Sequence, residues 1–368
     1  MDISNRETVD DLRSWLRLLE EEEHLTRITE RVHWDKELSG VVRRTYDTLG
    51  DASPAMLFEN IDGYPAPGPN KLFIGQFRSY SRVCMMLGLD PVKTTRREII
   101  GVLRKRFQDK IAPVMVEDAP VHQNVETGDA IDVLKFPVPY FNHRDGGRYI
   151  GTMHMTITKD RDSGWVNCGL YRIMVHNERE LGIYFAPGRQ HIGLQQLKYI
   201  EHDEPMPVAI AIGLDPRLCF VAPANVPAGV SEFEVAGGLT GESVKLVKGK
   251  TVDLPVPANA EIVIEGFIHP TEKREEGPFG EYPGYYGDVP GPAPVIKVTA
   301  VTYRDDPIFQ GSVEGHPVNE SHVLGALVKS TVIWNALDHN GVPGIKDVAC
   351  IPESSGGHMV ISITPTVP

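Results

Sequence analysis

Cysteine is scarce in this chain and none of it is paired along the sequence. Cys84, Cys168, Cys219 and Cys350 lie far apart and form no C-x-x-C motif. No disulfide framework or zinc-ribbon spacing is present, and free thiols in a reducing cytoplasm are expected. The N-terminal segment MDISNRETVDDL is polar and acidic, without the apolar core of a secretory signal. No apolar run approaches the ~20 residues of a membrane span. Positive charge is in deficit: 37 Lys and Arg stand against 50 Asp and Glu, a formal net charge of −13. An acidic surface repels nucleic acid and anionic membranes, so neither is expected as a partner. An anionic ligand would have to be drawn in by local cations or a metal. There is no G-x-S-x-G, no H-E-x-x-H, and the Gly-rich run 237–241 lacks the Lys-Ser/Thr of a P-loop, so it reads as a turn. Internal repeats, low-complexity tracts and long charge runs are also missing.

What is there is an ordinary globular mixture, 24% charged and 41% hydrophobic, in 368 residues, enough for two or three domains. Ser4 and Glu7 suggest a capping box, followed by Val9, Leu12, Trp15, Leu16 and Leu19 on one helical face. Helices are also expected over 37–49 and 95–107, with short buried strands at 55–59 and 71–75. Gly and Pro cluster within 186–294, which predicts turns and short strands. Strand-like runs occur at 149–158, 170–176, 182–185, 207–213, 261–268 and 295–303, the pattern of a sandwich or barrel. One amphipathic helix, about 192–199, interrupts them. Beyond Arg304 a long helical run, 319–339, ends at Asn340-Gly341 and precedes strands at 348–351 and 358–363. This βαβ-like start has too few elements for a closed domain. With Pro368 directly after a strand, the last domain is expected to be incomplete here, a shortened form of a longer protein, or to be completed by another chain.

Two clusters could carry chemistry. Glu275, Glu276 and Glu281 flank a Gly277-Pro278-Phe279-Gly280 turn that can fold Glu276 and Glu281 toward each other. Paired carboxylates in an apolar pocket resist joint ionisation, so one can act as acid and the other as base. The same pattern also fits a solvated surface loop. Asn167, His191 and Glu232 offer amide, imidazole and carboxylate donors suited to Mn²⁺ or Mg²⁺. Placed on separate strands they would leave coordination positions for a phosphate, although a histidine beside an apolar run is also a common structural residue. Arg172 lies five residues beyond Asn167 on an expected strand, hence on the opposite face. There it could meet a carboxylate ligand or form an ordinary ion pair. Cys168 reads as a packing residue. Tyr282, Tyr285, Tyr286, His316 and His322 could shape a pocket, and the two histidines could equally serve as cap or surface residues.

Four segments, Asn167-x4-Arg172, Arg189-Gln190-His191-Ile192, Glu232-x3-Ala236-Gly237 and Glu276-Gly277-Pro278-Phe279-Gly280-Glu281, occur in this order within residues 148–322. They resemble the UbiD family of prenylated-FMN-dependent decarboxylases. The resemblance implies an α+β multidomain fold: an N-terminal α/β domain (1–115), a central split β-barrel flavin-binding domain (116–305), and the start of a C-terminal α/β oligomerisation domain (306–368). It implies reversible, non-oxidative decarboxylation of an aromatic, heteroaromatic or α,β-unsaturated acid through a covalent adduct with the prenylated flavin. No side chain can delocalise a carbanion on an sp² carbon, so such a reaction needs an electron-sink cofactor. The implied metal ligands are Asn167, His191 and Glu232, with Glu234 as the nearby alternative, holding Mn²⁺ or Mg²⁺ against the flavin phosphate. K⁺ is implied beside it. Cofactor contacts would come from Cys168, Leu170, Tyr171, Arg172, Gln190, Pro223 and Ala224, within 168–172 and 223–226. Arg172, Glu276 and Glu281 form the implied catalytic set, with Glu281 donating the proton. A flavin prenyltransferase would supply the cofactor, and the protein would be a homodimer or larger homo-oligomer. Family members continue further, with more β structure, a subunit-joining helix and a lysine that touches the phosphate. Two other readings are a carboxylase subunit running the reverse direction and a flavin-binding module without catalysis. The module would have no use for Arg172, Glu276 and Glu281.

Overall fold

The first helix runs Leu12–Glu21 because Asp11 caps it, its side chain accepting from the Ser14 amide while the Ser14 hydroxyl accepts from the Asp11 amide. Leu12, Trp15, Leu16 and Leu19 are buried on one face. The computed structural model describes residues 9–365 except Pro187, Asn225 and Asp288, so the Ser4–Glu7 capping box expected from sequence lies outside the described residues. Helices Glu37–Leu49 and Arg96–Arg106 follow the expected positions, the second behind a Thr95–Glu98 capping box. A further helix, Tyr80–Met86, was not expected. They flank a four-stranded sheet of Leu25–Ile28, Ala55–Phe58, Lys71–Ile74 and Ile308–Gln310, in that order. The last strand pairs parallel to Lys71–Ile74, so residues 308–310, read above with the C-terminal unit, join the N-terminal sheet.

The centre is a nine-stranded antiparallel sheet: β1 (Asn124–Thr127), β2 (Tyr149–Gly151), β3 (His154–Lys159), β4 (Val166–Gly169), β5 (Ile173–Asn177), β6 (Glu180–Ile183), β7 (Met206–Ile212), β8 (Ile262–Glu276) and β9 (Gly291–Tyr303). The strand order is β2-β5-β6-β9-β8-β7-β3-β4, with β1 also on β9. Register shifts between Glu265 and Gly266 and between Ile268 and Lys273 interrupt the β8–β9 ladder, and such irregularities let a sheet curl into a half-barrel. In β7, Val208, Ile210 and Ile212 enter one core while Ala209 and Ala211 enter the other. Both faces are buried, which is why this strand reads as an unbroken apolar run.

Two helices inserted in the sheet region carry the site: α1 (His191–Glu201) and α2 (Glu232–Thr240). The second corrects the reading of 237–241 as a turn. Gly237 and Gly238 are helical, and only Gly241 leaves the helix, with φ +83°. A Cβ on Gly238 would stand 2.0 Å from the Asp109 carbonyl oxygen, so α2 packs on this backbone only without a side chain there. The third helix, α3 (Glu320–His339), is capped by Asn319 and leads to an antiparallel hairpin of Ile345–Cys350 and Met359–Ile363. The expected βαβ start does not form: the two strands after α3 pair with each other, and the strand before it belongs to another sheet. Among the described residues no helix is long and apolar enough to cross a membrane. All four cysteines are buried and free.

Candidate active site

Glu276 ends β8, and the chain then turns through Gly277–Gly280 toward Glu281. The turn is held from beneath, the Gly280 amide donating to Asp145 Oδ1 at 2.8 Å and the Gly146 amide to the Pro278 carbonyl at 2.7 Å. The two glutamates do come together, but not as a bare pair. Arg172 stands between them, donating from Nε and Nη2 to Glu276 at 3.0 and 2.7 Å and from Nη1 to Glu281 Oε1. This fork geometry suits guanidinium and carboxylate. Burial disfavours the Arg172 charge, but Glu276 and Glu281 offset it and hold the guanidinium charged well above its ordinary value. The Tyr149 hydroxyl donates to Glu276 Oε1 at 2.8 Å, and burial together with that carboxylate keeps the phenol protonated. Tyr184 and Phe279 cover the cation, their ring centroids 4.0 and 5.7 Å from the guanidinium carbon.

Arg172 is not on a strand. β4 ends at Gly169 and β5 begins at Ile173, so the parity argument relating Arg172 to Asn167 does not apply. Gly169 permits the break: a Cβ there would lie 2.4 Å from the Tyr171 ring, which folds back over the strand end. Asn167 and Arg172 consequently line one cavity rather than opposite faces.

That cavity has a volume of about 750 Å³, within the range of roughly 300–1,000 Å³ usual for small-molecule and cofactor sites. Asn167, His191 and Glu232 line it together, although not from three strands as expected. Asn167 is on β4, His191 is the first residue of α1, and Glu232 is the first residue of α2. Both helix N-termini therefore meet the cavity wall, where the backbone dipole favours an anion. The Glu232 carboxylate, 1% exposed, accepts from the Cys168 amide at 2.8 Å and has no cationic partner among the described residues. Burial pushes it up to about 8, raises the Cys168 thiol and lowers the His191 imidazole. A buried carboxylate without a cation, sharing a cavity wall with an amide and an imidazole, is a donor set that fits a divalent metal ion. Among the described residues no group of three or more His, Cys, Asp or Glu is placed to hold a metal; this set includes an amide. Glu234, the alternative ligand, is not among the cavity residues.

Cys168, Leu170, Tyr171, Gln190, Pro223 and Ala224 also line the cavity, whereas Asn225 lies outside the described residues. Glu281 is on the wall, but Glu276 is behind Arg172, only 2% exposed and off the cavity surface. Of the five residues expected to shape the pocket, only Tyr282 lines it. Tyr285 is 63% exposed, and Tyr286 accepts from the Arg144 amide. The His316 carbonyl accepts from Arg43, and His322 completes the α3 capping box through Nδ1. The residues that sequence reasoning missed are Tyr149, Asp145 and Glu314, the last on the cavity wall, and none of them stands in a motif.

The sequence matches the 3-octaprenyl-4-hydroxybenzoate carboxy-lyase Rift-related domain over residues 113–317 and the N-terminal domain of the same carboxy-lyase over 16–99. It is 34% identical to pyrrole-2-carboxylic acid decarboxylase of Pseudomonas aeruginosa, over 96% of this chain and 71% of that protein. It is 33% identical to ferulic acid decarboxylase 1 of Saccharomyces cerevisiae, over 90% of this chain and 68% of that one. An evolved dimeric form of the UbiD-class enzyme HmfF from Pelotomaculum thermopropionicum, solved in complex with prFMN, superposes with a TM-score of 0.88 at 31% identity, covering 97% of this chain and 80% of that one. Fold and relatives together define a carboxy-lyase of mixed α+β architecture. Within that class, the chain belongs to the UbiD family.

Proposed function

We propose that this chain decarboxylates an aromatic, heteroaromatic or α,β-unsaturated acid, reversibly and without oxidation, using prenylated flavin mononucleotide. The observation that carries the reading is the pairing of Arg172 with both Glu276 and Glu281 at the wall of the cavity that Asn167, His191 and Glu232 share. The prenylated flavin, when bound, would supply the electron sink that no side chain offers. Asn167, His191 and Glu232 would hold Mn²⁺ or Mg²⁺ against its phosphate, helped by the N-termini of α1 and α2. Cys168, Leu170, Tyr171, Gln190, Pro223 and Ala224 would contact the flavin. A neighbouring K⁺, a flavin prenyltransferase as cofactor source, self-association, and the three-domain division at 115 and 305 are carried over from the family resemblance.

The chain's own residues divide the remaining work. Arg172 orients the substrate carboxylate. Glu276, fixed by Arg172 and Tyr149, holds the guanidinium in place. Glu281, on the wall and ion-paired with Arg172, would take up a proton once Arg172 engages the substrate carboxylate and deliver it to the carbon that loses carbon dioxide. The apolar surroundings strengthen these charged contacts. A flavin module without chemistry would have no use for this cluster. The test is to co-express the protein with a flavin prenyltransferase and compare it with Glu281→Gln on a panel of such acids. Flavin absorbance should be unchanged in the variant, while carbon dioxide release falls by about 10²–10⁴-fold. Wild-type turnover in Glu281→Gln would remove Glu281 from the reaction.

A further inference from the structure

We infer that Glu314 selects the substrate, its carboxyl accepting a hydrogen bond from a ring N–H or a phenolic O–H, so that the acids taken carry such a donor. The inference rests on the decarboxylase reading of the same cavity. Glu314 follows strand Ile308–Gln310 and precedes the Asn319 cap of α3. It lines the cavity beside Glu281, Tyr282 and Ser321, and it is only 8% exposed. No Lys, Arg or His among the described residues pairs with it. Its partners are neutral: Ser321 Oγ donates to Oε1 at 2.5 Å, Asn319 Nδ2 donates to Oε2 at 3.4 Å, and the Ser312 hydroxyl stands close by as a third.

A carboxylate offers about four lone-pair sites, so acceptor capacity remains beyond these bonds. Burial raises the Glu314 carboxyl above its ordinary value, and the charge of Glu281 adds to this. The role survives protonation, because a neutral carboxyl keeps its carbonyl acceptor. A bound ring without a donor would shut the buried group from water and leave its remaining acceptor capacity unfilled, so such acids should bind about 10- to 100-fold more weakly. Arg172 meets the carboxylate in the proposed function, and Glu314 would fix the ring about that anchor.

The experiment uses protein co-expressed with a flavin prenyltransferase and two planar five-membered ring acids, pyrrole-2-carboxylate with an N–H and furan-2-carboxylate without one. Binding is measured by calorimetry in wild type, Glu314→Gln, Glu314→Ala and Glu314→Met, the last filling a similar volume without an acceptor. The pyrrole acid should bind wild type more tightly by the factor given. That preference should persist in Glu314→Gln and vanish in whichever of Glu314→Ala and Glu314→Met folds. Equal binding of both acids to wild type, or a preference that survives in the Ala or Met variant, overturns the inference. Carbon dioxide release by the same preparations separates this from the proposed function. A preference lost with Glu314 in a protein that decarboxylates no acid would support the recognition role and sink the decarboxylase reading.

Discussion

A guanidinium held between two carboxylates changes what each carboxylate can do. Sequence reasoning placed Glu276 and Glu281 near each other and expected their mutual repulsion to split their acidities. Arg172 neutralises that repulsion instead and sorts the pair by position, Glu276 buried behind the cation and Glu281 at the cavity wall. The buried member is the more sensitive to loss of its partner. Removing Arg172 leaves a carboxylate, 2% exposed, with the Tyr149 hydroxyl as its side-chain partner among the described residues. Breaking one side of a buried pair costs on the order of 3–5 kcal/mol, whereas removing both charges costs far less. Arg172→Ala is therefore expected to lower urea stability by about that amount, and the double variant Arg172→Ala/Glu276→Gln to recover most of it. Equal stability of single and double variants would show that Glu276 is not held as a buried charge. The sequence could announce Arg172 through its spacing from Asn167, but not Tyr149, which reaches Glu276 across 127 residues with no motif to mark it.

Strands and exposed helices were legible because their periodicity is local, while α2 was not. Its sequence, EFEVAGGLT, carries two adjacent glycines that argue against a helix. The fold overrides that propensity because α2 must lie against the backbone of 106–111, and a Cβ on Gly238 would come within 2.0 Å of the Asp109 carbonyl and 2.9 Å of the Arg106 carbonyl. The helix that positions Glu232 thus depends on residues that read as a turn. Gly101, inside helix Arg96–Arg106, is the opposite case: a Cβ there meets nothing within 4 Å. Gly101→Ala is expected to raise urea stability by about 0.5–1 kcal/mol through the unfolded chain's lost freedom. Gly238→Ala should lose roughly 1–3 kcal/mol through forced displacement of α2, and flavin retention should fall with it as Glu232 moves. Two substitutions of the same kind changing stability in the same direction would contradict this account of the close approach.

At the scale of the whole molecule, long-range polar contacts tie the early segments to the central sheet and to α3. Arg13 on the first helix donates to both oxygens of Glu261 at 2.8 Å, immediately before β8. Arg104 and Asn335 exchange two hydrogen bonds of 3.1 Å between helix Arg96–Arg106 and α3. Deepest of these ties is Glu320, the first residue of α3, fully buried and accepting from the Gly75 and Phe77 amides at 3.0 and 3.4 Å. Burial, with a contribution from Glu314, raises its carboxyl from 4.5 to about 7. Such a group keeps its proton in the folded chain at pH values where the unfolded chain has released it. Its stabilising share is complete below about 4.5 and is lost as pH rises through about 7. By pH 8 the loss amounts to about 3 kcal/mol. The Gly75 and Phe77 amides bond separate oxygens of Glu320, so Glu320→Gln keeps an acceptor for only one of them, and it cannot ionise. Between pH 5 and pH 8, urea unfolding should therefore find wild type losing about 2–3 kcal/mol relative to the variant. Parallel pH profiles for the two proteins would mean that Glu320 ionises in the folded chain as readily as in the unfolded one, and that the junction between α3 and the N-terminal unit is open to water.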